Sequence, residues 1–186
     1  LSISPTSGAI NTGITLTITS TGSYFVNGAT VQWNGSNTAN TPAVTASTIT
    51  VGINPAEVGG SSGARTVTVT NPGSCTGGSC VSNSQTFTVT NPAPTITSMN
   101  PTSSVYSSPI TLIINSTAGN FINGATVQWN GVNTTTAPLV TSTVITATIT
   151  SAEVATAGAG TRTVTVTNPG TCTPSCVSSS QNFTVN

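Results

Sequence analysis

Any chemistry in this chain would depend on very few side chains. Its 186 residues include two glutamates, Glu57 and Glu153, two arginines, Arg65 and Arg162, and no histidine. Glycoside hydrolysis needs two carboxylates within about 10 Å of each other, and a serine or cysteine nucleophile needs a basic partner such as histidine or lysine. The two glutamates occupy corresponding places in two repeats of the sequence, so we do not expect them to face each other. The composition therefore predicts that the protein is not an enzyme.

The same shortage of polar ligands and cations argues against other kinds of site. Calcium is held by about six to eight oxygens, several of them carboxylates, and zinc by cysteine or histidine. Neutralising phosphates requires a cluster of lysine and arginine, whereas each repeat has one arginine. We predict no cofactor, no nucleic-acid partner and no binding to anionic membrane surfaces. Since no apolar run approaches the roughly 20 residues that span a bilayer, we also predict no membrane insertion.

The four charged residues recur at nearly the same spacing. Arg65 follows Glu57 by eight positions and Arg162 follows Glu153 by nine. This pattern predicts one ion pair per repeat, joining a short helical turn to the strand that follows it. An exposed pair of this kind is worth at most about 1 kcal/mol.

The four cysteines form two close pairs, Cys75 with Cys80 and Cys172 with Cys176. Each pair lies between two predicted strands, so a local disulfide at each hairpin tip is the simpler interpretation. A single four-cysteine zinc site is the alternative, but it would require two tips 97 residues apart to meet. Disulfides indicate an oxidising compartment outside the cytosol.

The aromatic residues have a structural and a binding interpretation. Trp33 and Trp129 follow Gln32 and Gln128 in an alternating pattern, which favours a tryptophan inside a β-sandwich over one that stacks on a sugar. Tyr24 and Tyr106 do not recur at matching positions, and they are weak candidates for a binding surface.

The sequence Asn-Gly-Ala-Thr-Val-Gln-Trp-Asn-Gly stands at residues 27–35 and again at 123–131. Around it, short segments alternate threonine with aliphatic residues, as half-buried strands do, and clusters of glycine, asparagine, proline and serine separate them. The segments are 14–18, 30–33, 49–53, 66–70 and 87–89, and in the second repeat 110–114, 127–129, 145–149, 164–166 and 183–185. The pattern predicts an all-β fold of two tandem sandwiches with about seven strands each.

We predict one sandwich over residues 1–90, a proline-rich linker over 91–94 and a second sandwich over 95–186. Two prolines stiffen the predicted linker, so we expect the two sandwiches to form a rod. The repeat boundaries also suggest that the chain is a section of, or is assembled into, something longer. The only helical segments expected are single turns at 55–58 and 151–154.

A family resemblance follows from the order of these blocks. Asn-Pro-Thr-Ser at 100–103, Phe-x-x-Gly-Ala-Thr-Val-Gln-Trp-Asn-Gly, Ala-Glu-Val and Thr-Val-Thr-Val-Thr-Asn-Pro-Gly together resemble IPT/TIG immunoglobulin-like domains of the bacterial cell-surface kind. The resemblance covers both repeats nearly end to end. It implies an immunoglobulin-like fold used as a spacer, an adhesion module or an accessory domain.

The near absence of charge suggests what the surface contacts. Charged residues are 2% of the chain, and such a surface favours association because isolated sandwiches guard their edge strands with charges. We predict an extracellular, cell-surface filament subunit whose partners are copies of itself. The alternative is a spacer or carbohydrate-binding segment of a larger adhesin or polysaccharide-active enzyme.

Two further sets of residues belong to this hypothesis. Surface glycans are a possible partner or cover, because four asparagines begin Asn-x-Ser/Thr sequons: Asn34, Asn115, Asn133 and Asn182. If subunits exchange strands, the terminal strands would do so, through Leu1, Ile3, Phe183 and Val185.

Overall fold

The alternating segments form strands in both repeats. The computed structural model describes residues 1–75, 79–156 and 158–186, and the chain divides into two units, Leu1–Thr90 and Asn91–Asn186. The elements of the first unit are β1 (Ser2–Ser4), β2 (Ser7–Ala9), β3 (Ile14–Thr19), β4 (Thr30–Trp33), β5 (Ser36–Asn37), β6 (Ala43–Val44), β7 (Thr48–Ile53), α1 (Pro55–Val58), β8 (Gly63–Thr70) and β9 (Gln85–Pro92).

The second unit repeats this order with two differences, an extra short strand and a helix that is one residue longer. Its elements are β10 (Ser98–Asn100), β11 (Ser103–Ser104), β12 (Ile110–Asn115), β13 (Thr126–Trp129), β14 (Val132–Asn133), β15 (Leu139–Val140), β16 (Val144–Ile149), α2 (Ser151–Ala155), β17 (Gly160–Thr167), β18 (Cys172–Thr173) and β19 (Gln181–Val185). No helix of the described residues is long and apolar enough to cross a membrane.

Each unit has two sheets. In the first unit one sheet has the order β1-β3-β7-β6, and in the other β9 pairs with β2 and β8, β8 with β4, and β4 with β5. In the second unit the orders are β10-β12-β16-β15 and β11-β19-β17-β13-β14. Pairing is antiparallel except for β2 with β9, β11 with β19, and β18 with the last two residues of β9, which pair in parallel. The predicted all-β fold of two immunoglobulin-like sandwiches is confirmed.

The apolar side chains of the alternating segments fill the space between the sheets. In both units a tryptophan packs at the centre against a phenylalanine. The ring centroids are 5.1 Å apart for Trp33 and Phe87, and also for Trp129 and Phe183. Both tryptophans are at least 95% buried. Their burial confirms the core interpretation and leaves neither ring face available to stack on a sugar.

The repeated Asn-Gly pairs make the tight turns of two hairpins. Asn34 and Gly35 have φ of 50° and 86°, and Asn130 and Gly131 have φ of 51° and 85°. Two consecutive residues with positive φ match the right-handed twist of the flanking strands, and asparagine followed by glycine adopts this turn most readily. The turns connect β4 to β5 and β13 to β14.

The residues predicted as a linker, 91–94, lie in the second unit. Asn91 and Pro92 form the last two residues of β9 and pair in parallel with Cys172 and Thr173 of β18. Hydrogen bonds therefore hold the start of this segment, which is not a free connector.

Candidate interaction surfaces

The two glutamates have the same structural role in the two units. The carboxylate of Glu57 accepts hydrogen bonds from the backbone N–H groups of Ala39 and Asn54, both at 2.8 Å. The carboxylate of Glu153 accepts from the N–H groups of Thr135 at 2.7 Å and Thr150 at 2.6 Å. Each glutamate therefore connects the residue before its helix to the loop that joins the two sheets of its unit.

The two arginines bind backbone carbonyl groups. Arg65 donates to Ser61 at 2.8 Å and to Ala64 at 3.2 Å, and Arg162 donates to Thr161 at 3.1 Å and to Gly158. Within the described ranges no arginine lies within salt-bridge distance of a carboxylate. The expected ion pairs Glu57–Arg65 and Glu153–Arg162 are therefore not formed. The reason is that the loop after each helix presents carbonyl oxygens to the guanidinium group, while N–H groups occupy the carboxylate.

The environment of Glu153 shifts its titration. Burial by itself would raise the pKa of this carboxyl group, but hydrogen bonds from the backbone and side chains of Thr150 and Thr135 lower it by more. The net result is a pKa below the ordinary value of 4.5. The ionised form of Glu153 is thus part of the folded second unit.

A small pocket lies beside the buried tryptophan of the second unit. It has a volume of about 130 Å³, and its lining includes Trp129, Val132, Asn133, Glu153 and Arg162. The indole N–H of Trp129 is buried and has no hydrogen-bond partner among the described residues. The first unit differs, since the indole N–H of Trp33 donates to a backbone carbonyl.

Both predicted disulfides are present. Cys75 pairs with Cys80 and Cys172 with Cys176, with Cα–Cα distances of 5.4 and 5.0 Å. Each bridge lies between the last two long strands of its unit, β8 and β9 or β17 and β19. All four sulfur atoms are therefore used within their own units, and the alternative of a shared zinc site is wrong.

The sequon asparagines differ in accessibility. Asn34, Asn133 and Asn182 are exposed. Asn115 is half-buried, and its amide nitrogen donates to the hydroxyl of Ser98 at 3.0 Å. Three of the four positions thus have the accessibility that a glycan requires.

The terminal strands are built into their own sandwiches. Ile3, Phe183 and Val185 belong to the buried cores, and Leu1 packs against the core of the first unit. Strand β19 pairs with β17 along its length and with β11 at its end, whereas β1 is an edge strand that pairs with β3. Strand exchange through these four residues would therefore have to withdraw core side chains, and it remains a prediction.

The two facing sheets of each unit define the class of the protein as tandem immunoglobulin-like β-sandwiches. The sequence model of the IPT/TIG domain family matches residues 1–89. The first unit is an IPT/TIG domain, as the resemblance of its sequence motifs predicts, and the second unit repeats its motifs and strand order.

Comparison with curated proteins finds no match. Among solved structures, the chain is similar to SGBP-B of the Bacteroides ovatus mixed-linkage glucan utilization locus in complex with a heptasaccharide, with 15% identity and a TM-score of 0.35 over 97% of this chain and 43% of that one. It is also similar to the titin Ig tandem A164–A165, with 11% identity and a TM-score of 0.37 over 97% and 90% of the two chains. Titin domains A168–A170 give 13% identity and a TM-score of 0.42 over 97% and 62%. The chain thus spans less than half the length of the glucan-utilization protein.

Proposed function

We propose that this protein is an extracellular structural protein, the repeating subunit of a cell-surface filament built from tandem immunoglobulin-like domains. The two disulfides favour an oxidising compartment outside the cytosol. Both carboxylates and both guanidinium groups are occupied by the protein's own backbone. This arrangement favours a structural role over a catalytic one.

The observation that carries the proposal is a pair of unguarded sheet edges in the second unit. Strand β14 ends one sheet and exposes 71% of Val132, and β15 ends the other sheet and exposes 77% of Leu139. Neither strand contains a charged residue. Natural sandwiches usually protect such edges with lysine or other charges, because open backbone groups beside apolar side chains recruit other chains.

The first unit lacks this apolar pair. The residues at the corresponding edges are Ser36 in β5 and Ala43 in β6. A filament requires this patch to contact a different surface of the next subunit, because a patch that pairs with its own copy gives a closed dimer. Such heterologous contacts extend without limit when the rotation between subunits does not close a ring, and they then produce a filament.

The proposal is tested on the purified chain by electron microscopy, with intact mass on the same sample. We expect thin fibres from the unmodified sequence and loss of fibres in Val132→Lys and Leu139→Lys, since a lysine guards the edge. The matched controls are Ser36→Lys and Ala43→Lys, which place the same charge on the first unit and should leave fibres intact.

Two results would contradict the filament role. The first is that the unmodified chain remains as single particles at the same concentration as the lysine variants and the controls, with no fibres in any of the samples. The second is a native polypeptide much heavier than this chain, which would favour a spacer or carbohydrate-binding segment of a larger protein. Intact mass also shows whether Asn133, next to Val132, carries a glycan that would itself cover the β14 edge.

A further inference from the structure

The pocket beside Trp129 is lined by a buried arginine whose hydrogen-bond donors are only partly used. Arg162 is 95% buried, and its guanidinium group donates to the carbonyls of Thr161 and Gly158. A guanidinium group has five N–H donors, so three of those of Arg162 have no acceptor among the described residues. Buried donors without acceptors cost free energy, and a ligand that brings an acceptor oxygen would remove part of that cost.

The corresponding arginine of the first unit has more partners. Arg65 donates to the carbonyls of Val58, Ser61 and Ala64 and to the hydroxyl of Ser61. It is also only half-buried, so water can reach its remaining donors. The neighbouring indole N–H, that of Trp33, is bonded as well. Between the two arginines and two tryptophans, the buried donors that lack an acceptor in the described part of the chain are thus those of the second unit.

The charges at the pocket favour a neutral ligand. The carboxylate of Glu153, which also lines it, accepts three hydrogen bonds from Thr135 and Thr150, and a carboxylate can accept about four. Its negative charge repels an anion that approaches Arg162, and Arg162 in turn repels a cation. An uncharged group with a carbonyl oxygen for Arg162 and an N–H for Glu153 avoids both repulsions.

The size of the pocket limits this group to a few atoms. Its volume of about 130 Å³ compares with about 30 Å³ for each molecule of liquid water. The pocket therefore has room for about four non-hydrogen atoms and is too small for a sugar ring. An acetamido group has this size, and it combines a carbonyl oxygen, an N–H group and a methyl group. The exposed side chain of Val132 supplies an apolar wall for the methyl group.

An asparagine at the pocket connects it to sugars that carry such a group. Asn133 lines the pocket, is exposed and begins the sequon Asn-Thr-Thr, whereas the corresponding Asn37 is followed by Thr-Ala. Asparagine in a sequon is the acceptor for N-linked glycans. In an N-acetylhexosamine the acetamido group is on C2, next to the C1 atom that links the sugar to asparagine. A sugar on Asn133 would therefore hold its acetamido group within reach of the pocket.

We infer that this pocket binds the acetamido group of an N-acetylated sugar. The carbonyl oxygen accepts from Arg162 beside the indole N–H of Trp129, the amide N–H donates to Glu153, and the methyl group packs against Val132. The sugar ring remains outside the pocket, so binding does not need the buried faces of the tryptophan ring. Two sources can supply the same group, a sugar linked to Asn133 and a separate surface glycan.

The inference does not depend on the filament role, because it concerns a single chain. A chain that binds the sugar and forms no fibres would contradict only the filament proposal. A chain that forms fibres and does not bind the sugar would contradict only the present one.

The test is a titration of the unglycosylated 186-residue chain with N-acetylglucosamine, followed by NMR at the indole N–H signals. The chain has two tryptophans, so Trp33 is an internal control, and the variant Trp33→Phe identifies which signal belongs to Trp129. We expect a saturable shift of the Trp129 signal with a Kd in the millimolar range, since few atoms are in contact, and no shift of the Trp33 signal. No saturable shift of Trp129, or an equal shift of Trp33, would overturn the inference.

Three further ligands test the chemistry of the group. Acetamide should shift the same signal, because it carries the same carbonyl, N–H and methyl groups. Glucose, which has a hydroxyl in place of the acetamido group, and acetate, which has a negative charge, should each bind at least about fivefold more weakly. Glucose that binds as well as N-acetylglucosamine, or acetate that binds as well as acetamide, would overturn the assignment of the ligand.

Protein variants assign the binding to the pocket. Arg162→Lys keeps the charge but removes the planar set of donors, so we expect binding to weaken about tenfold, while the matched variant Arg65→Lys should leave it unchanged. Val132→Ser removes the apolar wall without changing a buried group and should weaken binding about threefold. Its control is Val26→Ser, an exposed valine of the first unit. Unchanged binding in Val132→Ser would overturn the assignment even if Arg162→Lys does not fold.

The source of the group is tested on the native chain by mass spectrometry of the peptide that contains Asn133. Linkage forms a bond from the asparagine amide nitrogen to C1 of the sugar, and the bond from C1 to the phosphate of a lipid-linked donor breaks. The phosphate leaves with the electron pair, and the nitrogen loses one proton. If Asn133 carries the sugar, the Trp129 signal of the native chain should already lie at its saturated position, and Asn133→Gln should restore the response to free sugar. An attached N-acetylated sugar that leaves Trp129 at its unbound position would overturn the inference, and an unmodified Asn133 with saturable titration would support a separate glycan as the source.

Discussion

The indole N–H of Trp33 donates a hydrogen bond to the backbone carbonyl of Glu57 at 3.0 Å, and the corresponding bond is missing in the second unit. The difference arises where the short helices end. Helix α1 stops before Gly59, whereas α2 continues for one residue more, and the carbonyl of Glu153 accepts instead from the N–H of Thr156 at 3.4 Å. Two repeats with the same nine residues around the tryptophan therefore differ: within the described ranges the indole N–H of Trp33 has a hydrogen-bond partner and that of Trp129 has none.

This difference predicts unequal effects of the same substitution. Trp33→Phe should lower the free energy of unfolding of the first unit by about 1 kcal/mol more than Trp129→Phe lowers that of the second, because only the first loses a hydrogen bond. Both variants lose similar ring contacts with Phe87 or Phe183. NMR signals of each unit along a urea titration measure the two effects, and equal losses would contradict the role of the hydrogen bond.

A second matched pair compares the two asparagines of the sandwich ends. Asn168 makes three hydrogen bonds and is 98% buried, whereas Asn71 makes two and is half-buried. Asn168→Ala should therefore destabilise its unit by about 1–2 kcal/mol more than Asn71→Ala, since a buried group left without a partner costs more than one that water can reach. The same urea titration reports both values. A larger loss for Asn71→Ala would show that the segment 91–96 is held by other contacts.

The sequence predicts the regular parts of this fold well, for clear physical reasons. Where threonine alternates with valine or isoleucine along a strand, the aliphatic side chains face the core and the threonines face solvent. The dipeptide Asn-Gly has one preferred hairpin turn. The two cysteines of each pair are only five or four residues apart, so a disulfide within each pair is the expected pairing.

What the sequence could not show depends on tertiary distances. The charges of Glu57 and Arg65 suggest an ion pair, but each side chain forms hydrogen bonds with backbone groups instead. The hydrogen bond that holds residues 91–96 could not be predicted either, because its donor, the side-chain amide of Asn168, lies seventy-six positions after its acceptor, the carbonyl of Pro92. Comparing Asn71 with Asn168 in the repeat alignment is the signal that could have shown it.

The carboxyl group of Glu153 predicts acid sensitivity of the second unit. Its pKa is lower in the folded than in the unfolded chain, so it contributes stability at pH values above the unfolded pKa, and that contribution is lost as the pH falls through the folded pKa. We expect the free energy of unfolding of the second unit to fall between pH 7 and pH 3 by no more than about 1 kcal/mol from this group, because it is partly solvated. In Glu153→Gln this contribution should vanish. A variant with the same pH dependence as the unmodified chain would exclude Glu153 as the cause.

The two disulfides predict a modest and similar loss on removal. They close loops of five and four residues, and the chain-entropy relation gives about 2 kcal/mol for loops this short. Cys75→Ser with Cys80→Ser, and Cys172→Ser with Cys176→Ser, should each destabilise the unit that carries them and leave the other unchanged. The second pair has an additional consequence, because Cys172 belongs to β18 and pairs with Asn91. Hydrogen exchange at Asn91 should therefore accelerate in the second double variant and not in the first, and unchanged protection there would show that Asn168 alone holds the segment in place.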